Sequence, residues 1–207
     1  MVPMENQIKT ITDWLDDGSI DIFGLPFSGK DTQGRIIAEK LGGELIAGGD
    51  ILRSHDDPKK IEEVLANGGI VPSDFYINLV LPYLSQAKYR TKPLILSAVG
   101  RAHGEEPIIM KAVSDSGHPM KAVVYLKMPE TIVWQRFEAS LIKNDRGNRS
   151  DDHREVIKNR LKKFHDRTVP VIDYYREKGM LVEVDGTQPL HQVTESILNG
   201  LAELGQS

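Results

Sequence analysis

Residues 24–32, Gly-Leu-Pro-Phe-Ser-Gly-Lys-Asp-Thr, constrain the fold of this chain more than any other stretch. A glycine, four residues and then Gly-Lys with a nearby threonine is the spacing of a phosphate-binding loop. Glycines let consecutive backbone N–H groups point at an anion, and the N-terminal end of the following helix adds positive potential. Lys30 would reach the outer phosphates with its ammonium group, and Thr32 would add a hydroxyl.

The neighbouring sequence supports this loop, although the bare spacing can arise by chance in a chain with 18 glycines. Residues 19–23 are rich in β-forming side chains and lead directly into Gly24. Residues 33–41 carry apolar side chains at helical spacing before Gly42. The alternative is an ordinary strand-to-helix turn with a solvated lysine. We favour the phosphate-binding loop because strand, glycine loop and helix follow in the required order.

The composition narrows the class of protein. A length of 207 residues fits one α/β domain with small insertions. The net charge of -4, from 26 basic and 30 acidic side chains, argues against a nucleic-acid or membrane partner. The absence of cysteine excludes disulfides and thiolate metal sites, and no segment resembles a membrane span or a signal peptide. We therefore expect a soluble cytoplasmic protein.

Strand and helix patterns alternate along the rest of the chain. Apolar runs predict strands at 44–47, 93–99, 121–128 and 181–184. Amphipathic patterns predict helices at 5–16, within 56–88, at 129–137, at 152–164 and from Thr168 onward. Asp152 and Glu155 have the spacing of a helix cap. The alternation indicates right-handed βαβ units and a parallel sheet covered on both faces.

Four arginines lie where such a sheet binds its ligands, beyond the carboxyl ends of the strands. Arg53 and Arg101 each follow a predicted strand, with Arg53 expected early in a helix that the loop over 48–53 enters. Arg149 and Arg160 border or follow the polar segment 143–150, which is typical of a mobile lid. A single arbitrary arginine would more often form a weak surface ion pair. Four at these positions favour an anion site.

From Ile20 to Leu198, the order and spacing of the motifs resemble the adenylate kinase family of nucleoside monophosphate kinases. In chain order the motifs are GLPFSGKDTQ, GGDILR, GGIVPSD, VGRAHGEE, VYLKMPETIVWQRF, NRSDDHREVIKNRL with TVPVIDYY, and VDGTQP. The first four resemble, in this order, the phosphate loop, the monophosphate-contacting segment, the base-contacting turn and the arginine motif of the family. The last three resemble its donor-base strand and helix, its post-lid helices and its adenine-contacting turn.

The resemblance implies a three-layer α/β/α fold of the P-loop NTPase type, with a parallel sheet. Residues 1–207 would form a single kinase domain with an N-terminal helix at 5–16, a monophosphate-binding insertion at 48–80 and a short lid at 138–150. The implied reaction is reversible, Mg²⁺-dependent transfer of the γ-phosphoryl group of ATP to AMP by a monomer. Such transfer needs positioning and charge neutralisation rather than a covalent nucleophile. The alternatives are a kinase of the same fold for GMP, CMP or a small alcohol, and a non-catalytic ATP sensor.

The resemblance also implies roles for individual residues. Lys30 would bridge the donor phosphates, Arg53 and Arg101 would clamp the acceptor phosphate, and Arg136 would stack on the donor base. The implied catalytic residues are Lys30, Arg101, Arg149 and Arg160. The implied ATP-binding residues are Gly24, Pro26, Phe27, Ser28, Gly29, Lys30, Asp31, Thr32, Arg136 and Gln188. The implied AMP-binding residues are Gly48, Arg53, Ile70, Val71, Arg101, Glu105, Arg149 and Arg160.

Departures from the family pattern affect three parts of the implied site, namely magnesium binding, the acceptor base and the lid. Asp31 stands where the family has a small residue, and Ser97 stands where it has the aspartate that orients magnesium. We expect Asp31 to take over this role, because Mg²⁺ prefers carboxylate oxygens. The alternatives are that Asp31 only favours the helix N-terminus, or that it repels phosphate.

The other two departures concern the acceptor base and the lid. Glu105 replaces a glutamine that reads adenine and Gly48 replaces a threonine, so the site could favour GMP or CMP, because a carboxylate only accepts hydrogen bonds. Ser140 replaces a catalytic arginine, for which Arg146 in the lid is a candidate substitute or else a solvated charge.

Overall fold

The computed structural model describes residues 4–53, 78, 80, 82–143 and 153–206. Five parallel strands form one sheet in the order β2-β3-β1-β4-β5. Their bounds are Ser19–Gly24 for β1, Glu44–Ala47 for β2, Leu94–Ser97 for β3, Met120–Lys127 for β4 and Leu181–Asp185 for β5. The central strand β1 pairs with β3 on one side and β4 on the other. The predicted parallel sheet is therefore confirmed.

The described ranges contain eight helices of at least six residues, which precede, connect or follow these strands. They are α1 (Met4–Leu15), α2 (Lys30–Leu41), α3 (Gly48–Arg53), α4 (Glu106–Asp115), α5 (Glu130–Lys143), α6 (Arg154–Lys163), α7 (Val169–Glu177) and α8 (Leu190–Leu204). A short π-helical stretch, Phe164–Thr168, joins α6 to α7, and a 3₁₀ turn spans Ala87–Tyr89. None of the described helices is long and apolar enough to cross a membrane.

Several predicted helix bounds differ from the structure. Helix α2 begins at Lys30, because Gly29 adopts a left-handed conformation with φ 86° that turns the loop directly into the helix. Helix α5 continues beyond Phe137 to Lys143. The segment at 48–53 is helical and not a loop, so Arg53 is the sixth residue of α3, the last one that the described part of this helix contains.

One predicted helix cap is wrong, and two helices were missed. The predicted cap at Asp152 is wrong, because His153 occupies the N-cap position of α6 and makes no side-chain cap hydrogen bond. Helices α4 and α8 were not predicted from the sequence.

Apolar side chains pack on both faces of the sheet, which confirms the three-layer architecture. On one face, α1, α2 and α8 bury side chains such as Ile11, Ile37 and Ile197 against the strands. On the other face, α4 to α7 contribute a second cluster that includes Ile109 and Phe137. This packing fixes the carboxyl ends of the strands as one edge, where the loop after β1 meets the loop after β3.

Candidate phosphate-binding site

The loop between β1 and α2 lies at the carboxyl end of the central strand. Gly24, the last residue of β1, has no room for a side chain, because an added Cβ would lie 2.5 Å from Ser28 Oγ and 3.2 Å from the Leu126 carbonyl oxygen. The Ser28 hydroxyl is buried and has no hydrogen-bond partner among the described residues. A buried donor without a partner is costly, and a bound phosphate oxygen would supply one.

Phe27 introduces strain into this loop. Its φ of 62° lies in the left-handed region, which costs a non-glycine residue about 1–2 kcal/mol. The ring of Phe27 packs edge-on against Phe137 of α5, with 5.8 Å between the ring centroids. This contact with α5 helps to hold the strained backbone of the loop in place.

A cleft of about 390 Å³, open solvent included, lies beside the loop. Four cationic side chains line it: Lys30, Arg101, Arg160 and Lys163. The remaining lining residues are Phe23, Gly24, Pro26, Ala98, Phe164 and Thr168, so none of the described lining residues is acidic. In a chain with a net charge of -4, this local concentration of positive charge indicates a site for a polyanion.

Tertiary contacts position Arg101 at this cleft. The backbone after β3 passes through Ala98, whose φ of 55° is also left-handed. The next residue, Val99, donates its backbone N–H to the Asp21 carboxylate in β1, with oxygens at 3.2 and 3.4 Å. On the other side, Thr168 Oγ1 donates to the Arg101 carbonyl oxygen at 3.0 Å. Asp21 and Thr168 therefore fix the loop that carries Arg101.

Asp21 was not recognised from the sequence as a residue of this region. It is 1% exposed, and burial raises its pKa to about 8, although hydrogen bonds from the backbone at Val99, Ala98 and Ile22 and the charge of Arg101 oppose the rise. The sequence did carry a signal, namely a carboxylate inside a strand whose other side chains are almost all apolar. Burial also raises the pKa of the neighbouring Tyr175 phenol, as do the charges of Asp21 and Glu106.

The structure brings together the two positions where the sequence departs from the family pattern around magnesium. Ser97 Oγ, at the end of β3, donates a hydrogen bond to Asp31 Oδ1 at 2.5 Å. Asp31 belongs to the first turn of α2, directly after Lys30, and is exposed. Its carboxylate is therefore held at the place where β3 ends beside the phosphate loop.

Arg136 of α5 fastens the phosphate loop to the turn after β5. Its Nη1 donates to the carbonyl oxygens of Phe27 and Ser28 at 3.1 and 3.3 Å, and its Nη2 donates to the Gly186 carbonyl oxygen at 2.9 Å. Gln188 lies two residues further, on an exposed part of the same turn. The two segments predicted to surround the donor base are thus joined through one guanidinium group.

Glu105 and Glu106 accept backbone hydrogen bonds from the loop that connects Arg101 to α4. Glu105 is 3% exposed, and its Oε2 accepts a hydrogen bond from the Ala102 N–H at 3.0 Å. The Glu106 carboxylate accepts from the Gly104 N–H at 2.6 Å and contacts His103 Nδ1 at 3.0 Å. In this geometry both carboxylates point into their own loop.

Comparisons with known proteins agree with this geometry. The family model described as "Adenylate kinase" matches residues 22–180. The chain belongs to the adenylate kinase family. The adenylate kinase of Parvibaculum lavamentivorans is 30% identical over 181 residues, covering 85% of this chain and 88% of that protein. The adenylate kinase of Micrococcus luteus is 32% identical over 185 residues, covering 87% and 88%.

Among solved structures, a gluconokinase from Sinorhizobium meliloti 1021 superposes with a TM-score of 0.63. It is 21% identical and covers 91% of this chain and 94% of that one, so it supports the three-layer P-loop fold alone. Membership of the adenylate kinase family makes this chain a phosphotransferase of the nucleoside monophosphate kinase class.

For this adenylate kinase family member, the structure places only part of the predicted site. Gly24, Pro26, Lys30, Arg101 and Arg160 meet at the cleft. Gly48 is buried at the start of α3, and Thr32 is exposed in the first turn of α2. Ile70, Val71, Arg146 and Arg149 lie outside the described residues, as does the side chain of Arg53. Lys163 was missed, although its spacing of three residues from Arg160 places both on one helix face.

Proposed function

We propose that this chain transfers the γ-phosphoryl group of ATP to AMP reversibly and with Mg²⁺, giving two ADP. The observation that carries the proposal is the convergence of Lys30, Arg101 and Arg160 on one cleft beside the phosphate loop. Phosphoryl transfer between two nucleotides needs cations around the transferring group and in-line alignment, with no covalent nucleophile. The cleft supplies cations from three separate parts of the chain.

Each cation would have its own task. Lys30, at the N-terminal end of α2, would contact the donor phosphates together with the loop N–H groups and the Ser28 hydroxyl. Arg101, fixed by Asp21 and Thr168, would bind the acceptor phosphate. Arg160 would neutralise charge that develops on the transferring group, and an arginine in this role can contribute about 10³ to 10⁵ in rate.

Arg136 would place the donor base. Its guanidinium group already spans the phosphate loop and the Gly186 turn. The planar face of a guanidinium stays available for stacking on an aromatic base while its edge N–H groups donate to carbonyl oxygens. Gln188, in the same turn, would lie beside that base.

Magnesium would be held at Asp31. The fit rests on one exposed carboxylate directly after Lys30, oriented by Ser97 at 2.5 Å. Mg²⁺ is usually bound by one or two carboxylates together with substrate phosphates and water, and the described residues contain no cluster of three or more acidic or histidine side chains suited to a metal. When bound, Mg²⁺ would neutralise charge on the phosphate oxygens. Ser97 would keep Asp31 in position.

AMP remains the proposed acceptor despite the glutamate at position 105. A free carboxylate would match the two adjacent donors of guanine, but Glu105 Oε2 accepts the Ala102 N–H and the side chain is buried. This engagement supports AMP over GMP. The insertion at 48–80 and the lid at 138–150 would close over the two nucleotides of a monomer and exclude water.

A coupled assay for ADP formation tests the proposal. ATP is held constant, AMP, GMP, CMP and UMP are compared as acceptors, and Lys30→Ala is compared with Lys40→Ala, an exposed lysine in the last turn of the same helix. We expect turnover with AMP, its loss in Lys30→Ala and its retention in Lys40→Ala. Comparable or better rates with GMP would overturn the choice of acceptor. ATP binding without turnover would support the sensor alternative.

The magnesium assignment has its own test. Asp31→Ala should lower turnover and raise the Mg²⁺ concentration needed for half-maximal rate, whereas Glu39→Ala, an exposed carboxylate further along α2, should not. Moving the carboxylate back to β3 in the double variant Asp31→Gly/Ser97→Asp should restore part of the activity, because the two positions are adjacent. Unchanged turnover and unchanged Mg²⁺ dependence in Asp31→Ala would remove Asp31 from the metal site.

A further inference from the structure

Lys163 is a fourth cation of the cleft that the family motifs do not cover. It is the last residue of α6, three positions after Arg160, and both side chains line the cleft with Lys30 and Arg101. Residues three apart on a helix share a face, so α6 presents two cations to the same space. The adjacent Lys162 is exposed and is not among the described residues that line the cleft.

The surroundings of Lys163 differ from those of an ordinary surface lysine. Within the described ranges it makes no side-chain hydrogen bond or ion pair, whereas Lys158 of the same helix approaches Glu155 at 3.4 Å. Partial burial lowers the pKa of the Lys163 ammonium, and the charges of Arg167 and Arg101 lower it further. A half-buried cation facing another cation is unfavourable unless an anion joins them.

We propose that Lys163 binds the phosphate of the acceptor nucleotide together with Arg101. The inference rests on the proposed function, because it assumes that Arg101 contacts that phosphate. Lys163 and Arg101 line the same cleft, and the charge of Arg101 acts on Lys163, so a dianionic phosphate bound at Arg101 would also compensate the charge of Lys163. Lys163 thereby becomes a determinant of acceptor affinity on the side of the cleft formed by α6.

Steady-state kinetics of three variants tests this role. Lys163→Met removes the charge, Lys163→Arg keeps it, and Lys162→Met removes a neighbouring charge outside the cleft. Losing a charge-assisted hydrogen bond should reduce kcat/KM for AMP by about 10- to 100-fold in Lys163→Met. The KM for ATP should stay unchanged, Lys163→Arg should retain most of the AMP affinity, and Lys162→Met should match the wild type.

Three results would overturn the assignment. The first is equal kinetics in Lys163→Met and Lys162→Met. The second is an equal loss in Lys163→Met and Lys163→Arg, which would exclude a role for the charge. The third is a raised KM for ATP with an unchanged KM for AMP, which would place Lys163 on the donor side. Thermal unfolding of each variant checks that the fold is intact, which we expect because the Lys163 side chain is only half-buried.

Calorimetric titration with AMP separates this inference from the proposed reaction. If the wild type forms no ADP but binds AMP, and Lys163→Met binds AMP about 10- to 100-fold more weakly, the kinase proposal fails and the Lys163 assignment stands. Equal AMP binding by wild type and Lys163→Met overturns the Lys163 assignment whether or not ADP forms. Absence of AMP binding to the wild type overturns both.

Discussion

The buried Asp21 carboxyl predicts an unusual pH dependence of stability. Its pKa rises from a usual 3.8 to about 8 in the folded protein. The unfolded chain therefore releases this proton near pH 4, while the folded chain keeps it up to about pH 8. Between these values stability falls as pH rises, by about 1.4 kcal/mol per pH unit. From pH 5 to pH 7, Asp21 should remove about 3 kcal/mol of the free energy of unfolding.

The substitution Asp21→Asn removes this titration with little change in shape. The asparagine oxygen can still accept the Val99 N–H, so the loop before Arg101 keeps that contact. Urea unfolding of wild type and Asp21→Asn at pH 5, 6 and 7 measures the effect, and the difference between the two proteins cancels the other titrating groups. We expect this difference to grow by about 3 kcal/mol in favour of Asp21→Asn between pH 5 and pH 7.

Two outcomes would refute this reasoning. Parallel pH profiles of the two proteins from pH 5 to pH 7 would mean that the folded-state pKa of Asp21 is not raised, because its hydrogen bonds and Arg101 at least balance the effect of burial. If the measurement is extended to pH 3, a difference that grows in favour of the wild type from pH 3 to pH 5 would mean that the folded protein lowers the pKa of this carboxyl. The exposed pair of Lys9 and Asp13, at 2.6 Å, offers a control substitution, because an exposed ion pair contributes little and Asp13→Asn should change the free energy of unfolding by less than about 1 kcal/mol.

Three further substitutions test packing, two of them at the site and one between α8 and β5. Gly24→Ala should lower kcat/KM for ATP by about tenfold or more in the coupled assay, because the new Cβ would displace Ser28 at 2.5 Å; unchanged kinetics would contradict a rigid loop. Arg136→Met should lower the free energy of unfolding by about 1–3 kcal/mol and raise the KM for ATP, since it leaves the carbonyl groups of the loop and the turn without their donor. A change in only the stability or only the KM would show that Arg136 does not both join the loop to the turn and bind ATP. Gly200→Ala should destabilise the protein by about 1–3 kcal/mol in urea, because its Cβ would lie 2.3 Å from Val182 Cγ1; a gain in stability would mean that helix propensity outweighs this clash.

Local sequence determined the elements that depend on contiguous residues. The spacing of Gly24, Gly29 and Lys30 predicted the phosphate loop, and the apolar runs predicted the four strands after β1 and their parallel arrangement. These features follow from backbone geometry and side-chain periodicity within a few residues, which a sequence displays directly. The motif order further indicated the adenylate kinase family, which the comparisons confirm.

Only the tertiary structure showed the individual contacts that join distant residues of the site. Ser97 reaches Asp31 across 66 positions, Thr168 reaches Arg101 across 67, and Arg136 reaches the Phe27 carbonyl across 109. No local pattern encodes such contacts, because they arise when the packed sheet brings separate loops to one edge. The raised pKa of Asp21 and the placement of Lys163 beside Arg101 have the same origin, since burial and neighbouring charge exist only after the chain has folded.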